Sequence, residues 1–458
     1  MNQASDQSIL RFKRAYFIGA GGIGMSALAR YFKRKGWEVS GYDKTPSPLT
    51  DALQHEGIDV HFSDLGNDIQ APFTSKEDTL VIYTPAIKNL GELSYFNNEG
   101  FHVKKRAEVL GMLTRSSLGI GVAGTHGKTT TSALLAYILD SSELKCSAFL
   151  GGIATNFDSN LVLSTTSKYT VVEADEFDRS FLALSPFASI ITSVDPDHLD
   201  IYGDVEYFKK GFQSYAELIH HDGFLVMKEG LPLHTKTRTI TYAVGSETAD
   251  LSVENMHFED GYFVFDVRMN EDMWCGIQLG IPGIHNAENA AACIAMCLEL
   301  GLKEPQIRAA LKTFKGVKRR FEYHIRKENL VYIDDYAHHP TELHSFIRSV
   351  RLMYPGKRVI GAFQPHLFTR TRDFFEGFAQ ELSALDELVL LPIYPARELP
   401  IEGVSSDHLL DAITAPKKQI LAAQETLQYL SNQRDCVILT IGAGDIDRIV
   451  EPLTQALS

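Results

Sequence analysis

Residues Gly121-Val-Ala-Gly-Thr-His-Gly-Lys-Thr-Thr-Thr-Ser132 give the strongest structural signal in this 458-residue chain. They end an apolar run, residues 118–123, that predicts a buried strand, and they open a helix-prone run, residues 131–139. A glycine loop between strand and helix points backbone N–H groups at phosphate oxygens, while lysine supplies a mobile cation and threonine a ligand for Mg2+. The stretch therefore predicts a site for ATP or GTP. The residues expected around the phosphates are Gly124, Thr125, His126, Gly127, Lys128, Thr129 and Thr130.

The loop departs from the usual spacing at one position. Val122 stands where a glycine is expected five residues before the Gly-Lys pair, with Gly121 and Gly124 on either side. A glycine-rich turn with a chance Lys-Thr pair is the structural alternative. The strand before the loop and the helix after it favour nucleotide binding.

The composition is that of a globular protein with several domains. A hydrophobic fraction of 44% and a charged fraction of 22% are ordinary, and 458 residues predict roughly three domains. The formal charge of -14 disfavours a nucleic-acid partner. No run reaches membrane-spanning length and the start lacks the apolar core of a signal peptide, so we expect a cytoplasmic protein without a membrane partner. The cysteines lack zinc-site spacing and are expected to be buried thiols: Cys146, Cys275, Cys293, Cys297 and Cys436.

Strand and helix signals alternate along the chain, which predicts an α/β fold with doubly wound sheets. We expect a Rossmann-like N-terminal domain at 1–115, a central P-loop domain at 116–320 and a Rossmann-like C-terminal domain at 321–458. Short alternating runs between Thr235 and Ile281 predict a small antiparallel appendage on the central domain.

The first domain carries its own phosphate signature. Gly19-Ala-Gly21-Gly22-Ile23-Gly24 follows a strand directly, and Asp43 ends the next strand pattern. This arrangement is typical of dinucleotide sites, so an NAD-dependent oxidoreductase is a competing class. The same loop also suits the diphosphate of a nucleotide-linked substrate, and the glycines alone would permit close helix packing.

Two acidic clusters follow the phosphate loop. They are Glu173-Ala-Asp175-Glu176-Phe-Asp178 and Asp195-Pro-Asp197-His198-Leu-Asp200, each after a predicted buried strand. The carboxyl ends of parallel strands are where open sheets bind ligands, so these side chains predict Mg2+ beside the triphosphate. A solvated acidic turn is the alternative.

Further polar groups lie near the predicted domain boundaries. His285 and Asn289 share a helix face if the helix begins early enough, where they suit a base or ribose, whereas Asn286 suits helix capping. Arg319 and Arg320 suit a terminal phosphate or a solvated basic turn. Polar groups follow two later strands at predicted βα loops. The two arginines of the second group predict carboxylate recognition, with surface charge as the alternative. The two groups occupy residues 334–340 and 364–372, with the arginines at 370 and 372.

Together these sites favour carboxylate activation. ATP would phosphorylate a substrate carboxylate, and an amine would displace phosphate from the acyl phosphate. The sequence lacks a Gly-x-Ser-x-Gly elbow or a Cys-His signature for an acyl-enzyme.

The same residues resemble the Mur ligases of peptidoglycan synthesis. The likeness covers nearly the whole chain and rests on residues 19–26, 124–131, 173–176, 197–198, 285–289, 319–321, 334–341, 363–366, 369–372 and 442–444.

The resemblance implies that the first domain binds UDP-N-acetylmuramate and the central domain binds ATP with Mg2+. The implied UDP-sugar contacts are Gly19, Gly21, Gly22, Ile23, Gly24, Met25, Ser26, Asp43, Thr84 and Arg106. The implied metal ligands are Thr129, Glu173 and His198. The implied ATP contacts beyond the loop are His285, Asn286, Asn289, Arg320, Asp335 and Tyr336.

The resemblance also implies the acceptor site. His338, Arg370 and Arg372 would hold the carboxylate of L-alanine and orient its amine, with Lys128, His198 and Arg320 as further catalytic residues. The motifs at 363–366 and 369–372 favour the alanine-adding branch over a recycling branch that attaches a tripeptide. Several family members carry a carbamylated lysine where this chain has Gln213, so no carbamate is expected. We expect a monomer or weak homodimer.

Overall fold

The computed structural model of the chain describes residues 9, 11–87, 89–196, 199–269, 272–396 and 398–458. Two compact units are present. The first comprises Met1–Glu254, Asp266–Ile277 and Glu288–Phe314, and the second comprises Asn255–Phe265, Gln278–Ala287 and Lys315–Ser458. Among the described helices, none is long and apolar enough to cross a bilayer.

The N-terminal sheet is parallel and has the order β3-β2-β1-β4-β5 among the described residues. Its strands are β1 (Arg14–Ile18), β2 (Glu38–Tyr42), β3 (Asp59–His61), β4 (Thr79–Tyr83) and β5 (His102–Lys105). Its helices are α1 (Ile23–Arg34), α2 (Pro48–His55), α3 (Gly91–Asn98) and α4 (Arg106–Arg115). The chain leaves β1 toward β2 on one side, while β4 lies on the other. The crevice at their carboxyl ends is where such sheets bind ligands.

The central sheet has the order β15-β14-β13-β12-β11-β10-β6-β9-β7-β8 within the described part of the chain. Its strands are β6 (Leu118–Ala123), β7 (Ser147–Ala154), β8 (Ser159–Val162), β9 (Tyr169–Glu173), β10 (Ala188–Ile191), β11 (Phe224–Lys228), β12 (Arg238–Val244), β13 (Leu251–Glu259), β14 (Tyr262–Met269) and β15 (Asp272–Leu279). Its helices are α5 (Lys128–Asp140), α6 (Leu199–Tyr202), α7 (Val205–Glu217), α8 (Ile284–Glu299) and α9 (Glu304–Thr313). The apolar runs of β6, β9 and β10 are buried and pair in parallel, as their sequences predict.

The expected antiparallel appendage differs from the structure in one respect. β12 pairs in parallel with β11, and the first residues of β13 pair in parallel with β12, so these strands extend the central sheet. Alternating polarity reports one exposed face and carries no information about strand direction. One cysteine expectation was also wrong: Cys275 is exposed on β15, whereas the other cysteines are buried.

The C-terminal sheet has the order β16-β17-β21-β18-β19-β20 among the described residues. Its strands are β16 (Glu322–Arg326), β17 (Leu330–Asp335), β18 (Arg358–Phe363), β19 (Glu387–Leu390), β20 (Lys417–Ile420) and β21 (Cys436–Ile441). Its helices are α10 (Pro340–Met353), α11 (Phe368–Asp373), α12 (Phe375–Leu382), α13 (Ser406–Ala412), α14 (Ala423–Ser431) and α15 (Val450–Leu457). Only the β16 to β17 pairing is antiparallel among the described pairings. The three-domain α/β fold with Rossmann-like ends is thus confirmed.

Candidate active site

The phosphate loop connects β6 to α5 and depends on two glycines. Gly124 has φ 137° and Gly127 has φ 81°, a region that favours glycine. A methyl group on Gly124 would lie 2.0 Å from Thr192 Oγ1, and one on Gly127 would lie 2.7 Å from Asn289 Oδ1. The loop backbone therefore runs against neighbouring polar side chains with no room for a Cβ atom.

Residues after β10 hold the loop in place. The His126 N–H donates to Ser193 Oγ at 2.9 Å, and the Thr125 hydroxyl donates to the Asp195 carbonyl at 2.7 Å. The Thr125 N–H also donates to the Ser193 carbonyl at 3.3 Å. The conformation of the loop is thus preset by the neighbouring strand end.

Lys128 lies inside this loop and pairs with a buried carboxylate. Its Nζ donates to the Gly124 carbonyl at 2.6 Å and lies 2.8 Å from Glu176, whose side chain is only 2% exposed. Burial alone would lower the pKa of Lys128, but Glu176, Glu173 and Asp175 outweigh it and raise that pKa. Burial raises the pKa of Glu176 to about 7 against the opposing charge of Lys128. Desolvation of the carboxylate therefore outweighs its attraction to the lysine.

The ends of β6 and β9 provide oxygen ligands suited to Mg2+. Glu173 ends β9 and pairs in register with Val122 of β6, while Thr129 is buried in the first turn of α5. The Glu173 carboxylate lies over Gly151, where a methyl group would be 2.1 Å from Oε2. Carboxylate and hydroxyl oxygens are the donors that Mg2+ prefers. The third predicted ligand, His198, lies outside the described residues.

The glycine loop of the first domain lies between β1 and α1. The Gly21 N–H donates to Asp43 Oδ2 at 2.8 Å, and a methyl group on Gly19 would lie 2.6 Å from the Thr84 side chain. The loop thus brings together four of the predicted UDP-sugar contacts, Gly19, Gly21, Asp43 and Thr84. Asp43 orders the loop by accepting a hydrogen bond from one of its backbone N–H groups.

Two predicted contacts of this loop have buried side chains. Ser26 is fully buried and its hydroxyl accepts a hydrogen bond from Asn160 Nδ2 at 2.9 Å, and Met25 is buried in the core. Asn160 also accepts a hydrogen bond from Arg30 at 2.6 Å. These side chains join α1 to β8, and the Ser26 N–H donates to the Gly22 carbonyl at 2.8 Å, so Ser26 serves the packing and the loop.

Arg106 connects the glycine loop with the acidic cluster of the central domain. A methyl group on Gly24 would lie 2.7 Å from Arg106 Nη1, so the guanidinium covers the first turn of α1. Arg106 Nη2 lies 3.3 Å from Asp175, the residue before the partner of Lys128. Two consecutive carboxylates thus neutralise the two cations predicted to bind nucleotides: Asp175 pairs with Arg106, and Glu176 pairs with Lys128.

In the second compact unit, the two consecutive arginines have different roles. Arg319 Nε donates to Asp334 at 3.0 Å and Nη2 donates to the Gly442 carbonyl at 2.7 Å, so Arg319 ties strand ends together. Arg320 lies 4.9 Å from the ring centre of Tyr336 and 3.8 Å from Glu342. Arg320 is therefore the arginine suited to a phosphate.

Asp335 orders the loop that follows β17. Its carboxylate accepts the Phe321 N–H at 2.7 Å and the Ala337 N–H at 2.8 Å. Burial raises the pKa of Asp335 to about 7, against the opposing charge of Arg320. Its hydrogen bonds make it a loop-ordering group beside the predicted phosphate contact.

Helix α8 begins at Ile284, which places His285 and Asn289 one turn apart as predicted. Asn286 Nδ2 donates to the Pro282 carbonyl at 2.6 Å, so its side chain stabilises the start of the helix. Burial lowers the pKa of His285 to about 4, which keeps the imidazole neutral at physiological pH.

The predicted acceptor residues do not all converge. His338 and His366 have ring centres 6.3 Å apart, and the buried Arg370 Nη1 lies 3.3 Å from His366 Nδ1. His366 stacks on Tyr394 at 5.7 Å. Arg372 is half-exposed and pairs with Asp373 at 2.7 Å, away from this group.

Sequence reasoning missed Tyr394 and Glu342 and left His366 without a role. The spacing of His338 and Glu342, four residues apart across a helix start, is the signal that would have found Glu342. Tyr394 follows a different strand and has no such local signal.

A phosphate-loop domain between two Rossmann-like domains defines the class of multidomain P-loop enzymes. The sequence matches the family models described as "Mur ligase family, catalytic domain" at 14–117, "Mur ligase middle domain" at 122–297 and "Mur ligase, glutamate ligase domain" at 319–444. The chain belongs to the Mur ligase family, and it is an ATP-dependent ligase.

Individual relatives refine this comparison. The UDP-N-acetylmuramate--L-alanine ligase of Parabacteroides distasonis is 50% identical over 447 residues, 96% of each chain. The crystal structure of the UDP-N-acetylmuramate-alanine ligase of Thermotoga maritima has a TM-score of 0.83 at 26% identity, covering 96% of this chain and 98% of that one. A murein peptide ligase of Psychrobacter arcticus shares the fold, with a TM-score of 0.69 at 22% identity over 97% and 98% of the two chains.

Proposed function

We propose that this chain joins L-alanine to the carboxylate of UDP-N-acetylmuramate in peptidoglycan precursor synthesis, with ATP forming an acyl phosphate. The observation that carries the proposal is the 50% identity, over 96% of each chain, to a ligase of that activity. The loop around Lys128 and the oxygen ligands beside it fit the first step, in which the terminal phosphate of ATP is transferred.

The ATP site uses the preset phosphate loop. Its amides and Lys128 would bind the phosphates, Asn289 lies against Gly127, and Arg320 would neutralise charge during transfer. His285 and Tyr336 would contact the nucleotide. Mg2+ held by Thr129 and Glu173, with His198 as a further ligand, would supply charge neutralisation.

The UDP-sugar site uses the loop at Gly19 to Gly24. Amides at the start of α1 would bind the diphosphate, which the helix dipole favours. Arg106 covers the same turn and adds a cation, so it would contact the diphosphate or the substrate carboxylate.

The acceptor site uses His338 and Arg370. The buried Arg370 would bind the carboxylate of L-alanine through paired hydrogen bonds, and His338 would orient the amine. Arg372, predicted to share this role, pairs with Asp373 at the surface and would contribute little.

The recycling tripeptide ligase is the second candidate, and the identity to the alanine enzyme disfavours it. The competing NAD-dependent oxidoreductase is set aside by the family membership. The domain boundaries at 115 and 320, a cytoplasmic location and a monomeric or weakly dimeric state remain predictions, as does the absence of a carbamate. Gln213 instead bonds the His234 backbone, accepting from its N–H at 3.0 Å and donating to its carbonyl at 2.7 Å.

Phosphate release tests this function. With MgATP and UDP-N-acetylmuramate, release should depend on L-alanine, and Lys128→Ala should abolish it. The control Lys228→Ala removes a lysine at the end of β11 that pairs with Glu288 at 2.9 Å, and this variant should retain activity. Release that depends only on the tripeptide would assign the recycling activity.

A further inference from the structure

Glu342 lies where two predicted site residues, His338 and Arg320, converge. It stands in the first turn of α10, and its side chain is 14% exposed. Its carboxylate accepts the His338 N–H at 2.9 Å and lies 3.2 Å from His338 Nδ1 and 3.8 Å from Arg320. A carboxylate beside a histidine and a phosphate-binding arginine is placed to influence a reaction.

The neighbours of His338 fix its tautomer. Its Nδ1 lies 2.9 Å from the Tyr336 carbonyl oxygen and 3.2 Å from the Glu342 carboxylate. A carbonyl and a carboxylate can only accept hydrogen bonds, so Nδ1 must carry the proton. The lone pair of the neutral ring is therefore on Nε2.

We propose that Glu342 is a positioning residue that holds His338 in this tautomer and stabilises its imidazolium, so that Nε2 accepts a proton from the ammonium of the incoming amino acid. The inference rests on the proposed ligase function. It follows the logic of an oriented histidine base, in which a carboxylate faces one ring nitrogen and the reaction uses the other.

The proton balance of the step is complete. An amino acid is an ammonium ion at neutral pH and cannot attack until it loses a proton. His338 Nε2 takes that proton, and the free amine attacks the acyl phosphate carbonyl. The C–N bond forms, the C–O bond to phosphate breaks, and the second amine proton leaves with the phosphate. His338 then releases its proton to water.

The charged groups around His338 link its basicity to substrate binding. The pKa of His338 is lowered to about 4, mainly by burial and with Arg370 and Arg320 acting in the same direction, while Glu342 and the Tyr336 carbonyl oppose them. His366, whose ring centre is 6.3 Å away, is a further titratable neighbour. A substrate carboxylate on Arg370 and a phosphate on Arg320 would offset both cations. His338 would then become a stronger base only in the loaded enzyme.

Two nucleophiles test the proposal. Hydroxylamine is uncharged at neutral pH, so it traps the acyl phosphate as a hydroxamate without needing a base. Glu342→Gln keeps an oxygen that can accept the same hydrogen bonds but removes the charge. We expect the L-alanine rate at pH 7 to fall about 10- to 100-fold and hydroxamate formation to stay within about twofold. His338→Gln should show the same selective loss.

The pH profile and a matched pair complete the test. Both variants should recover with L-alanine as pH rises, because free amine then forms in solution. His344 of α10 and Glu381 form a second His–Glu pair, 2.9 Å apart. The control Glu381→Gln removes that carboxylate and should change neither the L-alanine rate nor the rate of hydroxamate formation. Equal losses with both nucleophiles, or no loss with L-alanine, would overturn the proposal. Wild-type enzyme that forms no hydroxamate would instead refute the proposed function.

Discussion

Replacing Glu176 with glutamine should remove a pH dependence from nucleotide binding. In the free protein Glu176 lies 2.8 Å from Lys128, and its pKa is about 7. If a bound nucleotide draws Lys128 to its phosphates, the carboxylate loses its partner and gains a negative neighbour. Losing a close opposite charge raises a carboxyl pKa by about 1 to 3 pH units.

The size of the effect follows from proton linkage. At pH 8 about one-tenth of free Glu176 is protonated, whereas in the complex about half to nearly all of it would be, so binding takes up about 0.4 to 0.9 of a proton. The complex holds more protons, and affinity therefore rises as pH falls. From pH 9 to pH 6 the affinity should rise by about 10- to 100-fold, or about 1.4 to 2.7 kcal/mol.

The assay is titration calorimetry with MgADP from pH 6 to pH 9 on wild-type protein and Glu176→Gln. The nucleotide's own ionisation is common to both proteins and cancels in the ratio of their affinities. Glu299→Gln, which removes the partner of Arg238 at 2.7 Å, controls for loss of a carboxylate elsewhere. Equal pH dependence in wild type and Glu176→Gln would refute the reasoning.

Three further predictions follow from single residues. Gly127→Ala should abolish phosphate release, because Gly127 has φ 81° and a methyl group there would lie 2.7 Å from Asn289 Oδ1. The control Gly230→Ala has the same backbone strain of about 1 to 3 kcal/mol, since Gly230 has φ 82°, but it has open space around it and should keep activity. Arg106→Ala should raise the KM for UDP-N-acetylmuramate about 10- to 100-fold and leave the Kd for MgADP within about twofold, since Arg106 covers the other phosphate loop. Burial lowers the pKa of His366 from 6.5 to about 4, so its neutral form contributes stability above pH 6.5 that is lost as pH falls toward 4. From pH 7.5 to pH 5 this loss is about 2 kcal/mol in the free energy of unfolding, so the thermal midpoint should fall less in His366→Gln than in wild type, and equal falls would contradict this.

The sequence predicted most of the fold because its signals are local. Buried apolar runs marked β6, β9 and β10, and the glycines of both loops marked the strand-to-helix turns. The parallel pairing of β12 with β11 and β13 escaped prediction because alternating polarity reports an exposed face and not strand direction. The exposure of Cys275 also escaped prediction, since the first half of β15 is largely exposed whereas Ile277 and Leu279 near its end are buried.

The residues of the candidate active site could be predicted where they share one loop, but less well where neighbouring side chains point in different directions. Arg370 and Arg372 are two apart on α11, and such residues face different sides of a helix, so only Arg370 is buried. Arg319 has φ 62°, which turns the backbone between the two arginines and sends them to different partners. A sequence motif groups the two arginines of each pair, whereas the backbone geometry directs their side chains to different partners.

Mass spectrometry of the product distinguishes the proposed ligase from the recycling ligase. Protein incubated with MgATP, UDP-N-acetylmuramate and an equimolar mixture of L-alanine and the tripeptide L-Ala-γ-D-Glu-diaminopimelate should yield the nucleotide sugar extended by one alanine residue, with an equal amount of ADP. A product extended only by the tripeptide, or ADP formation without any extended product, would contradict the proposed ligase.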